Sequence, residues 1–263
     1  EQVLTQEHTA EEIRNYTGSF CGFVLLAEAV YDLAALAGRL QAQGIGVLPA
    51  DSAQAVMQDL MLDVPGALVT ISLFTVPVPE HETEAAAQYA RWDGAQTVAQ
   101  SHKAHLMIAV MPDRMSAADA GRLYCTIMAA ALDDAGALAV YTSGSVMEPS
   151  QFCARTAGDD PQLLVENLVV IRTYTRPGGN CGYTIGMDAF GKDELEVRDC
   201  AESIETIAHV LKQCVLHILD ADSPSGWYLT VTIDGRQWEG RRKDGVMVEG
   251  HSLQLCMQAE SHI

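Results

Sequence analysis

The sequence has few basic residues. Its 263 residues contain 16 Lys and Arg against 35 Asp and Glu, which gives a formal net charge of −19. A surface this acidic repels phosphate backbones and anionic lipid headgroups, so neither nucleic acid nor a membrane is expected as a partner. The negative charge suits a cationic partner, although solubility is the more common reason for such an excess of acidic residues.

Long apolar runs and paired cysteines are lacking as well. No segment approaches the roughly 20 consecutive apolar residues that cross a bilayer. The first residues, EQVLT, have neither the basic region nor the apolar run of a secretory signal. The seven cysteines are scattered without a C-x-x-C pair, which argues against a disulfide framework or zinc ribbon and favours reduced thiols. We therefore expect a cytoplasmic protein.

Sequence signatures of cofactor binding are also missing. The glycine-rich segment PGGN at residues 177–180 lacks the Lys-Ser/Thr pair of a phosphate-binding loop. No G-x-G-x-x-G follows an expected strand, and there is no G-x-S-x-G nucleophile elbow. The sequence therefore predicts no cofactor.

Hydrophobic residues make up 48% of the chain, which is enough for a substantial core. In residues 22–147, strand-like apolar runs such as 67–74 alternate with amphipathic stripes such as the one through Leu123 and Ile127. This alternation predicts βαβ elements of the ferredoxin-like type, with helices packed on one face of a sheet. A further helical patch is predicted at Val56, Met57, Leu60 and Met61. Asp32 is placed to cap the helix through Leu33 and Leu36, and Ser116, with Asp119 three residues later, is the expected N-terminal cap of the helix through Leu123.

Residues 163–263 are richer in strands. Strand-like segments flank the PGGN turn. A further segment, in which apolar and polar residues alternate from Trp227 onward, ends in an Asp-Gly turn. One long helix is predicted from its apolar face between Ile204 and Ile218, with Asp199 and Glu202 as candidate caps. The second half therefore predicts a largely antiparallel sheet with one helix.

The whole chain is accordingly predicted to be an α+β protein with a mixed, largely antiparallel sheet or sheets. We divide it into a polar leader (1–21), an α/β-patterned half (22–147), a connector (148–162) and a strand-rich half (163–263). The connector is expected to be a loop around one short helix. The two halves belong either to one domain or to two.

The central stretch, residues 183–197, reads YTIGMDAFGKDELEV. Strand-like alternation on either side is interrupted by a turn, and Gly186 indicates a bulge or a close approach by another backbone. The favoured interpretation is a structural corner between two strands. The alternative places Asp188, Lys192, Asp193 and Glu194 at the rim of a ligand site, with Asp188 and Lys192 as the candidate ligand-binding residues.

The string T-x-G-M-x-x-F-G-x-x-E-L-E-V in this stretch, with GWYLTVTIDG at residues 226–235, resembles an uncharacterised bacterial family, domain of unknown function 4261. The similarity covers most of the chain from about residue 22, including AHLMIAV at 104–110. The resemblance supports the expected fold. It implies no activity, cofactor or catalytic residues.

Histidines and glutamates near residues 81–105 form a candidate metal site. The segment HETEA at 81–85 begins like H-E-x-x-H but has alanine where the second histidine is required. His102 and His105 are three residues apart and, with His81 and Glu84, make up the candidate ligand set. The simpler interpretation is that these are surface histidines at a helix end.

Four basic residues between positions 236 and 243 surround Trp238, which is unusual in so acidic a chain. Arginine binds carboxylate or phosphate in bidentate fashion and tryptophan offers a stacking face, so Trp238, Arg241 and Arg242 are candidate ligand-binding residues. The alternative is an exposed hairpin whose charges pair locally with Glu239 and Asp244.

These patterns favour a non-catalytic binding or protein-interaction module. Two alternatives remain open: a metal-assisted hydrolase that uses the His/Glu cluster, and a module that binds a small anion. The partner is expected to be an unknown protein or a small molecule. Self-association into a homo-oligomer is plausible because long alternating strands can expose a sheet edge.

Overall fold

The structure, a computed structural model, describes residues 19–48, 58–90, 92–158, 161–220 and 228–258. Residues 1–18 of the predicted leader lie outside this part, as do Val56, Met57 and Trp227. The described chain forms two β-sheets and seven α-helices. The helices are α1 (Leu33–Ala42), α2 (Glu82–Ala87), α3 (Ala95–Ser101), α4 (Ala117–Leu132), α5 (Pro149–Thr156), α6 (Pro161–Leu168) and α7 (Ile204–Asp220).

The first sheet is antiparallel throughout. Its strands are β1 (Phe20–Leu26), β2 (Gly46–Val47), β3 (Asp59–Val64), β4 (Ala67–Phe74), β5 (Ala104–Pro112), β6 (Ala137–Thr142) and β7 (Ser145–Met147). They lie in the order β2-β3-β4-β5-β1-β6-β7. The central strand β1 pairs with β5 and β6, so that Val24 lies opposite both Leu106 and Val140.

The segment β1-α1-β4-β5-α4-β6, with its strands in the order β4-β5-β1-β6, has the ferredoxin-like arrangement that the sequence predicted. Helices α1 and α4 pack on the same face, where Leu36 and Ile127 belong to one core with Val24. The prediction of helices on one face is wrong for the short helices α2 and α3, which cover the opposite face, where Leu25 belongs to a smaller apolar cluster. Adjacent β1 residues are therefore buried on both faces of the sheet.

The second sheet contains β8 (Val170–Arg176), β9 (Gly179–Ile185), β10 (Glu194–Cys200), β11 (Tyr228–Ile233), β12 (Arg236–Asp244) and β13 (His251–Met257). The order is β11-β12-β13-β10-β9-β8, and only the β10–β13 pair among these is parallel. Helix α7 packs closely on one face, since a β-carbon at Gly182 would lie 2.7 Å from Ile207. The predicted mixed, largely antiparallel α+β fold is confirmed.

The N-terminal capping residues of two helices were predicted correctly from the sequence, and those of a third were not. Asp32 accepts from the Ala35 N–H at 2.9 Å, and Ser116 accepts from the Asp119 N–H at 3.1 Å, as predicted. At α7 the prediction was wrong, because Ser203 Oγ accepts from the Thr206 N–H at 3.2 Å. Asp199 lies inside β10 and pairs with Arg176 at 2.7 Å instead.

Leu60 and Met61 were predicted to be helical but lie in β3. Leu60 and Leu62 are buried while Met61 is 46% exposed, which is the two-residue period of a strand. The connector holds the short helix that was predicted, α5, and also the beginning of α6, which was not predicted. Residues of both halves, such as Ile108 and Leu211, belong to one contiguous hydrophobic core.

Gly186 makes the close backbone approach that the sequence indicated. Its φ is +112°, and a β-carbon there would lie 2.3 Å from the carbonyl oxygen of Leu168. We expect Gly186→Ala to lower the free energy of unfolding by about 2–4 kcal/mol, because it adds backbone strain to a clash with backbone. Urea denaturation measures this change.

Gly38→Ala is the matched control. Gly38 lies inside α1, and a β-carbon there would have no neighbour within 4 Å. Alanine should therefore stabilise the protein by about 0.5–1 kcal/mol, since glycine is entropically costly in a helix. Equal changes in the free energy of unfolding for the two variants would contradict the close backbone approach at Gly186.

Candidate functional site

The central stretch forms a structural corner held by the partly buried carboxylate of Glu194. Thr184 Oγ1 donates to Glu194 at 2.5 Å, and the N–H groups of Gly186 and Met187 donate at 2.7 and 2.9 Å. Burial raises the pKa of Glu194, and these hydrogen bonds oppose that rise. The Glu194 carboxylate therefore joins the end of β9 to the start of β10.

The four residues that the sequence placed at the rim of a ligand site have different roles. Asp193 pairs with Arg242, and Glu194 holds the corner itself. Asp188 is exposed in a 3₁₀ turn that spans Asp188–Phe190. Lys192 lies two residues beyond Phe190, and both line one cavity, which Asp188 does not line.

Glu196 holds a second corner, between β12 and β13. Its carboxylate accepts from the N–H groups of Val246, Met247 and Val248, with shortest distances of 3.0, 2.7 and 3.2 Å. The hydroxyl of Ser252 also donates to it, at 3.1 Å. Glu196 is fully buried, so the hydrogen bonds that its carboxylate accepts stabilise the fold.

The basic cluster does not form the ligand site that the sequence suggested. Trp238 is only 1% exposed and belongs to the core, so its ring is not available for stacking on a ligand. Arg241 lies on the opposite face of β12, because successive strand residues alternate. Arg242 makes two hydrogen bonds to Asp193, at 2.6 and 3.2 Å.

The alternative interpretation of this cluster is only partly right. Arg241 pairs locally with Glu239 at 3.7 Å, as it proposed. The segment is not an exposed hairpin, however, since β12 is an interior strand between β11 and β13. Strand alternation places Trp238 and Arg242 on the same face of β12, opposite to Arg241.

The four candidate metal ligands do not come together as a metal site. His102 uses both ring nitrogens, since Nε2 accepts from the Val78 N–H at 2.9 Å and Nδ1 contacts the Ala99 carbonyl at 2.8 Å. His105 contacts the Val76 carbonyl, and burial lowers its pKa. His81 and Glu84 form a separate pair at 2.9 Å.

His81 is an exposed side chain, whereas His102 and His105 are buried, so the surface interpretation is wrong for the last two. Among the described residues, no group of three or more His, Cys, Asp or Glu is placed to hold a metal ion. Both ring nitrogens of His102 are committed to the backbone, and this explains why the H-x-x-H spacing produces no site.

The cavity lined by Phe190 and Lys192, which we call the main cavity, has a volume of about 880 Å³. It lies between the start of α4, helices α6 and α7, the central stretch and the end of β11. Its apolar lining consists of Ala117, Ala118, Val165, Phe190, Leu216, Leu219, Val231 and Ile233. Its polar lining consists of Ser116, Arg122, Gln162, Lys192, His209, Gln213, His217, Thr232 and Asp234.

The charges around the main cavity are mostly positive. Arg122 and Lys192 are cationic, and Asp234 is the sole carboxylate among the lining residues that the structure describes. Asp234 pairs with His209 at 3.3 Å, and both side chains are largely exposed, so this pair contributes little to stability. The N-terminal end of α4, at Ser116 and Ala117, adds a partial positive charge.

Sequence reasoning missed most of this cavity. Five segments that are far apart in the chain supply its walls, and no motif or fixed spacing links them. Arg122 follows Gly121 on the predicted helix, which gives no signal of a site by itself. The one available signal was Lys192, next to the turn of the central stretch.

None of the described helices is long and apolar enough to cross a membrane. A scan against protein-family models found no matching family. Searches of the curated proteins and of the solved structures found no match either.

Proposed function

We propose that the protein is a non-catalytic binding protein whose main cavity holds an amphipathic small-molecule anion, such as a carboxylate with an apolar body. The observation that carries the proposal is the combination of an apolar wall with cationic side chains around one cavity. Pockets of about 300–1,000 Å³ with apolar walls and a few convergent polar groups are typical of small-molecule sites. The main cavity, at about 880 Å³, falls in this range.

The apolar wall suits the body of such a ligand. Phe190 and Ile233 are 9% and 6% exposed and connect the cavity floor to the core. Leu216 and Val231 are only partly buried, so a ligand that covers them removes further apolar surface from water. Each buried methylene contributes about 0.8 kcal/mol to such binding.

The cationic side chains suit the head group. Because the chain carries a net charge of −19, most of its surface repels an anion. Arg122 and Lys192 make the cavity a place where a carboxylate finds positive charge beside an apolar surface. A guanidinium can also hold the carboxylate through two parallel hydrogen bonds.

A cytoplasmic location is part of the same proposal. All seven cysteines are free, and burial raises the pKa values of Cys125 and Cys214 to about 12. Free, weakly ionised thiols suit a reducing compartment. Membership of the family domain of unknown function 4261 is likewise proposed, on the sequence strings quoted above.

Binding of octanoate and of octanol to the untagged protein tests the proposed ligand class. We expect octanoate to bind at least about tenfold more tightly, since a charge-assisted hydrogen bond contributes about 1.5–3 kcal/mol. Arg122→Gln should remove this preference and leave octanol binding unchanged. Arg198→Gln, which removes an exposed charge outside the cavity, should preserve it. Isothermal titration calorimetry gives all of these affinities.

Ala118→Trp provides a second test, because it places a large side chain at the exposed end of the cavity. This variant should weaken the binding of both molecules, whereas Arg122→Gln affects only the anion. Native mass spectrometry of protein purified without chelators should show excess mass from a retained small molecule. Equal affinities for octanoate and octanol, or no binding of either at millimolar concentration, would contradict the proposal.

A further inference from the structure

A second cavity, of about 410 Å³, lies where the two sheets meet; we call it the Arg172 cavity. Its walls come from the chain around Tyr89 and Trp92, strands β7 and β8, and helices α5, α6 and α7. Of the described residues that line the two cavities, only His209 is common to both. The Arg172 cavity is therefore a separate site, and what binds there does not depend on what the main cavity binds.

Arg172 is held in the wall by two contacts and has one donor unused. Its Nη2 donates to the Gly144 carbonyl at 2.6 Å, and its guanidinium carbon lies 4.1 Å from the centre of the Tyr89 ring. Its Nε is buried and has no hydrogen-bond partner among the described residues. A buried donor without an acceptor is unfavourable, and an acceptor from outside the chain, such as a water or an anion, relieves that cost.

Two further cations share a single carboxylate in the same cavity. Arg155 Nε contacts Glu166 Oε2 at 3.1 Å, and Lys212 Nζ contacts the other oxygen, Oε1, of the same carboxylate. All three side chains are about 30% exposed, so an incoming molecule can reach them. One carboxylate cannot neutralise two cations, and Arg172 adds a third positive charge.

We propose that the Arg172 cavity binds the phosphate group of a small phosphorylated molecule. Arg155, Arg172 and Lys212 outnumber the two carboxylates of the described lining, Glu148 and Glu166. A phosphate monoester carries close to two negative charges and three terminal oxygens, so it suits a three-cation site better than a carboxylate does. A phosphate oxygen supplies the missing acceptor for Arg172 Nε once that side chain turns toward the cavity.

The aromatic residues of this cavity suit the organic part of such a ligand. Tyr89 is 60% exposed while its ring lies against the Arg172 guanidinium. The Trp92 indole N–H donates to the Val146 carbonyl at 3.0 Å, which fixes that ring at the cavity wall. A small aromatic ester therefore gains contacts that inorganic phosphate does not make.

Calorimetric titration of the full chain with inorganic phosphate and with phenyl phosphate, at low salt, tests the proposal. Phenyl phosphate is expected to bind the more tightly of the two. Arg172→Gln and Arg155→Gln should each weaken its binding about tenfold or more. Arg241→Gln removes the same charge from an exposed site outside the cavity and should change the affinity less than twofold.

Glu166→Gln gives the sharpest test because its expected effect is a gain. Removing the carboxylate that Arg155 and Lys212 share frees both cations for the ligand, so affinity for phenyl phosphate should rise several-fold. Glu239→Gln makes the same change of charge at the Arg241 pair, away from the cavity, and should leave affinity unchanged. A purely structural role for the Glu166 pairs gives no such gain.

Several results would overturn the proposal. One is the lack of binding of either phosphate at 10 mM, a concentration on the scale of the weakest specific sites. Another is binding that all of these variants leave unchanged, which would indicate general attraction to the protein surface. If Arg172→Gln does not fold, as judged by circular dichroism, Arg155→Gln and Glu166→Gln decide the matter by themselves.

Discussion

Replacing Trp238 with alanine is expected to lower the free energy of unfolding by about 3–5 kcal/mol. Trp238 is the largest of the fully buried side chains in the described chain and lies in the core shared by both sheets. The substitution removes apolar contacts and leaves a cavity that the surrounding strands fill only in part. Urea denaturation followed by far-ultraviolet circular dichroism measures the loss.

Tyr228→Ala is the control for this prediction. Tyr228 lies on the neighbouring strand β11, but 51% of it is exposed, so its truncation should cost less than about 1 kcal/mol. A Trp238→Ala variant as stable as Tyr228→Ala would show that Trp238 is not part of the core. Trp238 would then again be a candidate for ligand stacking.

Glu196→Ala is expected to destabilise the protein by roughly 3–5 kcal/mol. The variant removes the shared acceptor of the Val246, Met247 and Val248 N–H groups and of the Ser252 hydroxyl. Hydrogen bonds to a charged group contribute about 1.5–3 kcal/mol each, and solvent that enters the truncated site recovers part of this loss. Thermal and urea denaturation give the size of the change.

Hydrogen exchange shows whether the loss at Glu196 is local. The amides of residues 246–248 should exchange much faster in Glu196→Ala, while amides in α4 keep their relative protection. Glu28→Ala serves as the control, since Glu28 is 65% exposed and its pair with Lys103 contributes less than about 1 kcal/mol. Unchanged exchange at residues 246–248 would rule out the carboxylate as the element that holds this loop.

Much of the fold could be predicted because its elements have local signals. Strand β4 was predicted with its observed bounds from alternating and β-branched residues, and the capping side chains of Asp32 and Ser116 were identified from the residues that follow them. The start of α7 was predicted wrongly, since three polar residues between positions 199 and 203 are all plausible caps. Only the course of the chain after β10 selects Ser203.

The candidate sites were much less predictable. Trp238, Arg241 and Arg242 are close in sequence, but strand alternation and interior pairing separate Arg241 from the other two. His102 and His105 have the spacing of metal ligands, yet the backbone groups of Val78 and Val76 already occupy ring nitrogens. Sequence spacing gives no information on these competing partners.

The sequence by itself determined the secondary structure of most segments, the alternation of strands and helices in the first half and the acidic surface. These properties follow from the two-residue and 3.6-residue periods of apolar side chains and from the count of charges. The tertiary structure alone decided which polar side chains line a common cavity. It brings Arg155, Arg172 and Lys212 to one cavity, and Arg122 and Lys192 to another, from segments far apart in the chain. Such sites depend on long-range packing, which local periodicity does not encode.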